Sequence, residues 1–222
     1  MSNSFCYHTL KKYGSHTLSY STTGSGFHYF SMQDGYIAYI QHPIFKGRVC
    51  VLGDPVCHPS LKHVILSQFL IKFPKASFFQ ISHNTALYLK DFGLYLSQMG
   101  HEEWLNIQQE KFTWSTHKSI RRSVRKAKKS HICIKESLLS DIDTSLLWDI
   151  HKKWCNTRTN KSYYQSFLTR PLILKNEPDV RYFFAYQGST LIGYKFFYPL
   201  YRQNRIFGYY DDITRYIPSA PP

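Results

Sequence analysis

The sequence predicts a mixed α/β protein built from two successive halves, and three observations carry this prediction. Short runs of aromatic and β-branched residues, typical of strands, alternate with runs of helical periodicity. The elements before and after a basic stretch at 115–130 follow a similar order: strand, helix, helix, antiparallel strands. The length of 222 residues suits one large domain or two small ones. We therefore expect an α/β sandwich formed twice, over residues 1–111 and 112–222, with the boundary near Lys111.

The first half begins with strands. A stretch rich in Ser, Thr and Gly, Tyr13–Gly26, is typical of a loop. Aromatic and β-branched runs, broken by two glycines and a proline, then predict three strands, and the third runs into the sharp turn Gly53-Asp54-Pro55. These strands are Phe27–Met32, Tyr36–Gln41 and Arg48–Leu52.

Two helices and three further strands complete the first half. Pro59 opens an apolar-periodic helix that ends before Pro74. Asn84 or Thr85 is the candidate N-cap of a second helix, which ends at Gly93. The predicted strands are Ala76–Ile81, Leu94–Met99 and Trp104–Gln108.

A basic helix is predicted in the middle of the chain, in the stretch STHKSIRRSVRKAKKS, with Ser115 or Thr116 as its N-cap. Ile120, Val124 and Ala127 are spaced i, i+4 and i+7, which gives a narrow apolar stripe that faces a core. A solvated surface helix usually mixes charges of both signs, whereas this one carries cations and no acid, which indicates an anionic, phosphate-bearing partner. The cations are Lys118, Arg121, Arg122, Arg125, Lys126, Lys128 and Lys129.

The second half continues with a strand over His131–Lys135 and a helix that begins at Ser140 or Asp141. One face of this helix holds Leu146, Leu147, Ile150 and Trp154. A short helix around Tyr163–Leu168 precedes a proline. The last predicted strands are Val180–Tyr186 and Leu191–Pro199, which form a hairpin, and Arg205–Tyr210.

The composition also favours an anionic partner. Lys and Arg number 28 against 14 Asp and Glu, which gives a formal charge of +14. With 43% hydrophobic and 17% aromatic residues the chain buries a substantial core, so a disordered chain is excluded. No apolar run approaches the roughly 18–20 residues that span a bilayer, and the N-terminal segment lacks the apolar region of a signal peptide. We therefore expect a cytoplasmic protein without a transmembrane segment.

Cysteine usage agrees with a reducing compartment. The five cysteines occur at irregular spacing, and we expect them to be free thiols. A zinc site is one interpretation of a group of cysteines and histidines in the first half, but their spacing matches no usual zinc pattern. These residues are Cys50, Cys57, His58 and His63. Buried or incidental cysteine is the better interpretation, and no metal is expected.

Three motifs occur in a fixed order along the chain. Each is weak alone, but the ordered set is fairly specific. From about Tyr13 to the last residue, the set resembles the soluble C-terminal domain of the phosphatidylglycerol lysyltransferases, the multiple peptide resistance factor family. The motifs are Val51-Leu52-Gly53-Asp54-Pro55-Val56, then Met99-Gly100-His101-Glu102-Glu103 with the basic helix after it, then Asp212-Ile213-Thr214-Arg215 followed by Pro218-Ser219-Ala220-Pro221.

The resemblance implies a fold, an activity and partners. The implied fold is a tandem pair of acetyltransferase-like (GNAT) domains. The implied activity is transfer of an aminoacyl group, lysyl or similar, from aminoacyl-tRNA to a lipid hydroxyl such as that of phosphatidylglycerol. The partners are then aminoacyl-tRNA and anionic phospholipid, at the inner face of the membrane. Because aminoacyl-tRNA is already an activated ester, the reaction demands no cofactor or metal.

The resemblance also implies site residues. The family's Gly-Glu-Glu-Ala matches Gly100-His101-Glu102-Glu103, with Glu102 at the second glutamate and His101 in place of the first. The family's Asp-Leu-Met-Arg matches Asp212 and Arg215. A carboxylate such as Asp212 or Glu102 suits an α-ammonium or a lysyl side chain, and Arg215 suits a phosphate or carbonyl oxygen through bidentate donation. The cations of the basic helix suit tRNA phosphates.

Simpler structural roles stand beside these assignments. Asp212 and Arg215 can form an i,i+3 ion pair at a strand end. Glu102 can be a plain surface acid, and Asp54 is better interpreted as a turn residue before proline. In a regular strand Asp212 and Arg215 face opposite sides, so both line one pocket only if the strand ends or bulges between them.

Two other classes of function are left open. An acyl-CoA-dependent N-acyltransferase would share the fold class, but it normally presents a Gly-rich turn to pyrophosphate at a helix N-terminus. Gly24-Ser25-Gly26 precedes the sheet and so lies in the wrong place. A non-catalytic module that binds tRNA or an anionic membrane is the other class, because positive charge alone does not separate the two ligands.

The family's pattern continues past the point at which this sequence stops, Pro221-Pro222. From the sequence we therefore expect the second half to be incomplete, with weak activity or none. We also expect self-association through an unpaired sheet edge.

Overall fold

The computed structural model describes residues 3–41, 46–107, 117–157, 168 and 170–220. Contacts divide the chain into two compact units, and each is described by itself. The first unit comprises Met1–Gln98, Ser162–Ile173 and Tyr198–Tyr210, and the second comprises Met99–Lys161, Leu174–Phe197 and Asp211–Pro222. The predicted boundary at Lys111 lies outside the described residues and stays a prediction.

The described residues form five α-helices and eight β-strands, numbered in chain order. The helices are α1 (Asn3–Tyr13), α2 (Lys62–Lys72), α3 (His83–Asp91), α4 (Lys118–Lys129) and α5 (Thr144–Asn156). The strands are β1 (His28–Met32), β2 (Gly35–Gln41), β3 (Val49–Leu52), β4 (Ser77–Phe79), β5 (Ile132–Glu136), β6 (Arg181–Gln187), β7 (Thr190–Arg202) and β8 (Arg205–Tyr216). The strands form two sheets, which confirms the predicted mixed α/β class.

The first sheet has the strand order β1-β2-β3-β4. The β1–β2 and β2–β3 pairs are antiparallel, whereas β4 pairs parallel to β3 after the chain has passed through α2. All four residues of β3 are buried, as expected for a strand that is covered on both faces. The four strands predicted between Phe27 and Ile81 are confirmed, with bounds that differ by at most two residues.

Helix α2 supplies much of the core against this sheet. Ile65, Leu66 and Phe69 are fully buried on its inner face. The ring of Phe69 packs edge-on against Phe30 and Tyr39, with centroids 5.5 and 5.7 Å away. Burial of each such large apolar side chain contributes about 1.5–3 kcal/mol. Two of the apolar residues that predict this helix, Ile65 and Phe69, are therefore among those that pack it against the sheet.

Helix α1 carries no helix signal that we identified in the sequence, and its contacts show why. Its buried face is narrow and consists mainly of Cys6 and Leu10. The carbonyl oxygens at its C-terminal end, which need donor partners, accept hydrogen bonds from backbone N–H groups about 190 positions further along the chain, within the same unit. Those donors are Tyr201, Gln203 and Asn204. Such long-range capping leaves no local sequence pattern.

The second sheet has the strand order β5-β6-β7-β8. The β5–β6 and β6–β7 pairs are antiparallel. Gly188, in the turn between β6 and β7, has a φ of +60°, a conformation that favours glycine. The predicted hairpin around Gly188 is therefore confirmed. The last predicted strand is confirmed too, but it continues beyond Tyr210 to Tyr216.

The strands predicted at Leu94–Met99 and Trp104–Gln108 are wrong for the described residues, since 94–107 form no helix or strand. Leu94 and Leu96 do alternate inward and pack against the core of the first sheet, which explains the strand-like pattern. Extended chain with alternating burial becomes a strand only where a neighbouring strand offers backbone partners.

Several predicted helix starts also differ from the structure. Ser82, rather than Asn84 or Thr85, is the N-cap of α3, and its hydroxyl accepts from the N–H of Thr85. Asp143, rather than Ser140 or Asp141, caps α5, because a short 3-10 turn, Leu139–Asp141, precedes it. The predicted α4 caps, Ser115 and Thr116, and the short helix predicted at 163–168, with the exception of Leu168, lie outside the described residues.

The predicted repetition of element order is not seen among the described elements. In the first unit three antiparallel strands precede the first helix that connects strands of the sheet. In the second unit α5 lies between β5 and β6, before the antiparallel hairpin. Counting strands and helices from sequence does not distinguish these two arrangements, since both contain the same kinds of element.

Candidate functional site

The candidate site is built on α5 in the second unit. The carboxylate of Asp143 accepts the N–H of Ser145 at 2.9 Å and so caps the helix, and this hydrogen bond holds the pKa of Asp143 below its usual range. Leu147 and Ile150 are buried. The hydroxyl of Tyr194 on β7 donates to the carbonyl oxygen of Leu147 at 3.3 Å. One face of α5 is thereby fixed to the second sheet.

Arg215, on β8, lies against two half-buried side chains of this helix, His151 and Trp154. Its guanidinium carbon is 3.8 Å from the centre of the Trp154 ring, within cation–π range. Its Nε donates to Nδ1 of His151 at 3.3 Å, and its Nη1 donates to the carbonyl oxygen of Thr214 at 2.9 Å. The half-buried guanidinium is therefore held by a ring face and two hydrogen bonds.

The hydrogen bond from Arg215 determines the state of His151. Because an arginine Nε always carries its proton, Nδ1 of His151 must be the unprotonated nitrogen, and the proton of the neutral ring lies on Nε2. Nε2 is 3.5 Å from Sγ of Cys155. Burial, and then the charge of Arg215, hold the pKa of His151 below its ordinary value. The ring is thus an uncharged acceptor near neutral pH.

Asp212 lies half-buried on β8, three residues before Arg215. The strand is not regular here, since the hydroxyl of Thr214 donates to the carboxylate of Asp211 at 3.0 Å. In a straight strand side chains three apart point to opposite faces and could not meet. The strand therefore departs from regular geometry between Asp211 and Thr214. The assignment of Asp212 and Arg215 to one pocket requires such a departure.

Glu102 is exposed in the segment 94–107, which has no regular secondary structure. It belongs to the second unit, as do Asp212 and Arg215. Its catalytic assignment stays a prediction, because it lies on no helix or strand that would fix its direction.

Helix α4 presents the predicted cationic face. Six of the seven predicted cations line one surface depression, and at about 100° per residue they span an arc of about 140° of the helix. They are Lys118, Arg121, Arg122, Arg125, Lys126 and Lys129. Lys128 is exposed on the same helix. The first turn contains no acid, while the last turn contains three lysines, where the helix dipole favours cations.

The apolar stripe of α4 is less buried than predicted. No residue of α4 is buried; Val124 and Ala127 are half-buried and Ile120 is exposed. The prediction that this stripe faces a core therefore overestimates its burial, since the stripe is only partly covered. Packing within the second unit therefore does not explain why α4 carries seven cations.

Asp54 in the first unit has the structural role that the sequence favours. Its carboxylate accepts from the backbone N–H and hydroxyl of Ser82, at 2.8 and 2.6 Å, and pairs with Lys62 at 3.0 Å. Lys62 also donates to Thr85 at 3.2 Å. Burial raises the pKa of Asp54, but nearby His16, Lys62 and Ser82 outweigh it, so that the pKa is lowered. This network, the Asp54 cluster, joins the turn after β3 to the N-terminus of α3.

The five cysteines are free thiols, and Cys50 and Cys57 are buried. Burial raises the pKa of Cys57 to about 11, so its thiol is inert near neutral pH. Among the described residues, no three His, Cys, Asp or Glu side chains lie together in a way that would hold a metal ion. In the same part of the chain, every helix is too short or too polar to cross a bilayer.

His151 and Cys155 are absent from the residues that the sequence singles out, and Trp154 appears there only as a core residue. The useful signal is the spacing Trp148, His151, Trp154, which places three aromatic rings along one side of a helix. The partner of these rings, Arg215, is 64 residues away from His151, so no local pattern connects them.

The comparisons with known proteins agree with the resemblance. A family model described as "Phosphatidylglycerol lysyltransferase, C-terminal" matches residues 7–222. A search of curated proteins found no match.

Solved structures of similar fold include two bacterial proteins. One is L-PGS from Bacillus licheniformis, with a TM-score of 0.73 and 15% identity over 99% of this chain and 67% of that one. The other is the C-terminal domain of a protein described as a lysylphosphatidylglycerol synthetase from Agrobacterium fabrum, with a TM-score of 0.77 and 16% identity over 100% of this chain and 71% of that one. At these identities the likeness shows the fold.

Proposed function

The chain belongs to the C-terminal domain family of the phosphatidylglycerol lysyltransferases, and from that premise we propose that it is an aminoacyltransferase. It moves an aminoacyl group, lysyl or similar, from aminoacyl-tRNA to the hydroxyl of a lipid such as phosphatidylglycerol. The reaction takes place in the cytoplasm at the inner face of the membrane, where a charged tRNA and an anionic phospholipid can meet. The protein therefore acts at that face as a peripheral domain.

One observation carries this proposal: the family match extends over both Asp212 and Arg215, and the Arg215 side chain, on β8, is held by contacts with His151 and Trp154 of α5. A fixed guanidinium suits bidentate donation to a phosphate or a carbonyl oxygen. Asp212, half-buried on the same strand, suits the ammonium of the aminoacyl group. Both roles are transferred from the family's Asp-x-x-Arg pattern to the matching residues.

The chemistry requires positioning and proton transfer. The lipid hydroxyl oxygen attacks the ester carbonyl carbon, the bond from that carbon to the tRNA ribose oxygen breaks, and the proton of the lipid hydroxyl finishes on the ribose oxygen. Because one ester replaces another, no oxidant, nucleotide or metal enters the balance. Arg215 stabilises developing negative charge on the carbonyl oxygen, and Asp212 and Glu102 hold the aminoacyl group in place.

Helix α4 supplies the polyanion-binding surface in this proposal. Its cationic arc, about 18 Å long at about 1.5 Å per residue, suits the phosphates of tRNA. Anionic lipid headgroups carry the same phosphate chemistry, and the experiments below separate the two.

We also propose that the two units are acetyltransferase-like halves. In the first unit, an antiparallel meander followed by a helix and a parallel strand supports this. In the second, a strand, a helix and an antiparallel hairpin support it. A fold comparison of each unit alone with acetyltransferases tests it, and a better match to another fold contradicts it.

The direct test is transfer of labelled lysine or alanine from charged tRNA to phosphatidylglycerol vesicles. We expect a labelled lipid product, and we expect Asp212→Ala and Arg215→Ala to lower the rate by about 100-fold or more, as for loss of a group that stabilises transition-state charge. Asp34→Ala is the matched control, because Asp34 is an exposed aspartate that pairs with a lysine, Lys12, in the first unit; it should stay within about threefold of wild type.

Three outcomes contradict the proposal. Full activity of both Asp212→Ala and Arg215→Ala would remove the pocket assignment. Transfer from an acyl-CoA to an amine, with no transfer from charged tRNA, would favour the N-acyltransferase alternative. Tight tRNA or vesicle binding without any transfer would favour the non-catalytic alternative.

A further inference from the structure

We propose that helix α5 positions Arg215 through His151 and Trp154, so that the guanidinium meets its substrate oxygen in one fixed orientation. The inference rests on the proposed function in one respect: Arg215 must contact the substrate. His151 and Trp154 are positioning residues in this scheme, because they act through Arg215.

Three contacts restrict the orientation of the Arg215 guanidinium. The Trp154 ring, 3.8 Å from the guanidinium carbon, limits the tilt of the group, and the hydrogen bond to His151 limits its rotation. The bond to the carbonyl oxygen of Thr214 fixes a second point. A planar donor fork is useful for bidentate recognition only if its plane and rotation are both set.

The choice of acceptor also matters. A carboxylate in the place of His151 would hold the guanidinium and neutralise it. A neutral imidazole holds the guanidinium through its lone pair and contributes no negative charge, so the positive charge at this contact is kept for the substrate.

The rings are in turn fixed by α5. Trp148, Trp154 and Cys155 each lie three or four residues from His151, which places the four side chains along one side of the helix. The Trp148 ring meets His151 edge-on, with centroids 5.5 Å apart. The thiol of Cys155 lies beside Nε2. Sites that are carried on a packed helix keep their geometry better than sites on loops.

The arrangement makes Arg215 sensitive to acid. Among the described residues, the titratable groups in contact with His151 are Arg215 from β8 and Cys155 from α5, and the Tyr194 hydroxyl on β7 interacts electrostatically with both. As the pH falls through the pKa of His151, which lies below its ordinary value, Nδ1 gains a proton. It then ceases to accept from Arg215 and repels it. Positioning is therefore present above that pKa and lost below it.

The test compares two variants of His151 in the transfer assay between pH 5.5 and 8. His151→Asn keeps an acceptor near the place of Nδ1 but cannot titrate; His151→Leu keeps the size and removes the acceptor. At pH 7.5 we expect His151→Leu to lower kcat/KM by about 10- to 100-fold, as for misplacement of a catalytic group, and His151→Asn to stay within about threefold. The ratio of His151→Asn to wild type should rise as the pH falls.

A control separates a specific effect from a general one. His63→Asn alters another helical histidine that packs against aromatic rings, Tyr88 and Phe92, in the first unit, and it should keep the wild-type pH profile. Equal loss in His151→Leu and His151→Asn, or wild-type activity of His151→Leu over the whole range, would overturn the inference.

A second measurement needs neither activity nor a stable His151→Leu protein. The imidazole signal of His151, assigned as the one missing in His151→Asn, is titrated by NMR in wild type and in Arg215→Met. Loss of the neighbouring charge should raise the pKa of His151. An unchanged pKa would overturn the contact itself.

The outcomes also separate the two proposals. If Arg215→Ala is fully active, the proposed function fails whatever His151 does. If Arg215→Ala is inactive while His151→Leu is fully active, the function stands and the positioning role fails.

Discussion

The Asp54 cluster in the first unit and the cationic face of α4 in the second are both strongly charged, but they differ in what surrounds the charge. Asp54 is 8% exposed and receives donors from Lys62 and Ser82 within its own unit. The cations of α4 line an open depression on a helix that buries no residue.

This difference indicates that the charge of Asp54 serves folding and that the charges of α4 serve binding. A buried carboxylate must be matched by donors inside the protein, because leaving it unmatched costs several kcal/mol. Exposed cations of one sign repel one another and stabilise nothing until an anion arrives. Changes at Asp54 should therefore alter folding, and changes at α4 should alter binding.

The largest effect is expected from charge reversal on α4. Replacing Arg121, Arg122 and Arg125 by Glu should weaken tRNA binding by about two to three orders of magnitude at low salt, because three phosphate contacts and their released counterions are lost. The slope of log affinity against log salt should fall by about one for each contact. Anisotropy titrations between 50 and 500 mM salt measure both, and the thermal midpoint should stay close to wild type.

A matched control uses the same change in charge elsewhere. Lys46, Lys75 and Lys90 are exposed in the first unit, and their replacement by Glu should affect tRNA binding much less. Equal weakening by both triple variants would show that net charge, rather than the α4 face, controls binding. Weaker binding to anionic vesicles with unchanged binding to tRNA would assign α4 to the membrane instead.

The next effect is expected at Asp54. Asp54→Ala leaves Lys62, whose side chain is 18% exposed, without its carboxylate. We expect the free energy of unfolding to fall by about 2–3 kcal/mol, less than for a fully buried pair because water reaches Lys62. The matched change is Asp34→Ala, since Asp34 also pairs with a lysine, Lys12, at 3.1 Å but is 70% exposed. Pairs of this kind contribute about 0–1 kcal/mol. Urea denaturation of the two variants measures the contrast, and similar losses would contradict it.

The sequence predicts the strands and helices whose signals are local. The strands β1 to β4 and the β6–β7 hairpin are bounded by Gly and Pro, and α2 is a mainly apolar segment between two prolines, so neighbouring residues suffice to find them. Helix α1 is missed because its capping partners lie near residue 200. The segment 94–107 is misassigned because alternation reports burial, whereas a strand also needs a partner.

The candidate site divides in the same way. The cationic face of α4 is visible from composition, because all its members lie within twelve residues. Asp212 and Arg215 emerge only from a family pattern. The contact between Arg215 and His151 joins residues 64 positions apart, so it is found only in the folded structure.

The smallest effect, and the finest test of the comparison, is the dependence of stability on acid. The pKa of Asp54 is lower in the folded protein than in the unfolded chain, so the unfolded chain takes up the proton first. The contribution of Asp54 is therefore complete above the unfolded value of about 3.9. It declines as the pH falls through the lower, folded value. Each tenfold difference between the two acid constants is worth about 1.4 kcal/mol.

Asp54→Asn isolates this contribution, because it keeps the shape of the side chain and removes its charge. We expect the difference in unfolding free energy between wild type and Asp54→Asn to be constant from pH 7 to 5 and to shrink as the pH falls toward 2. The difference for Asp34→Asn should stay small throughout, since water already screens that carboxylate. A constant difference for Asp54→Asn down to pH 2 would mean that burial, and not the charge of Asp54, stabilises the first unit.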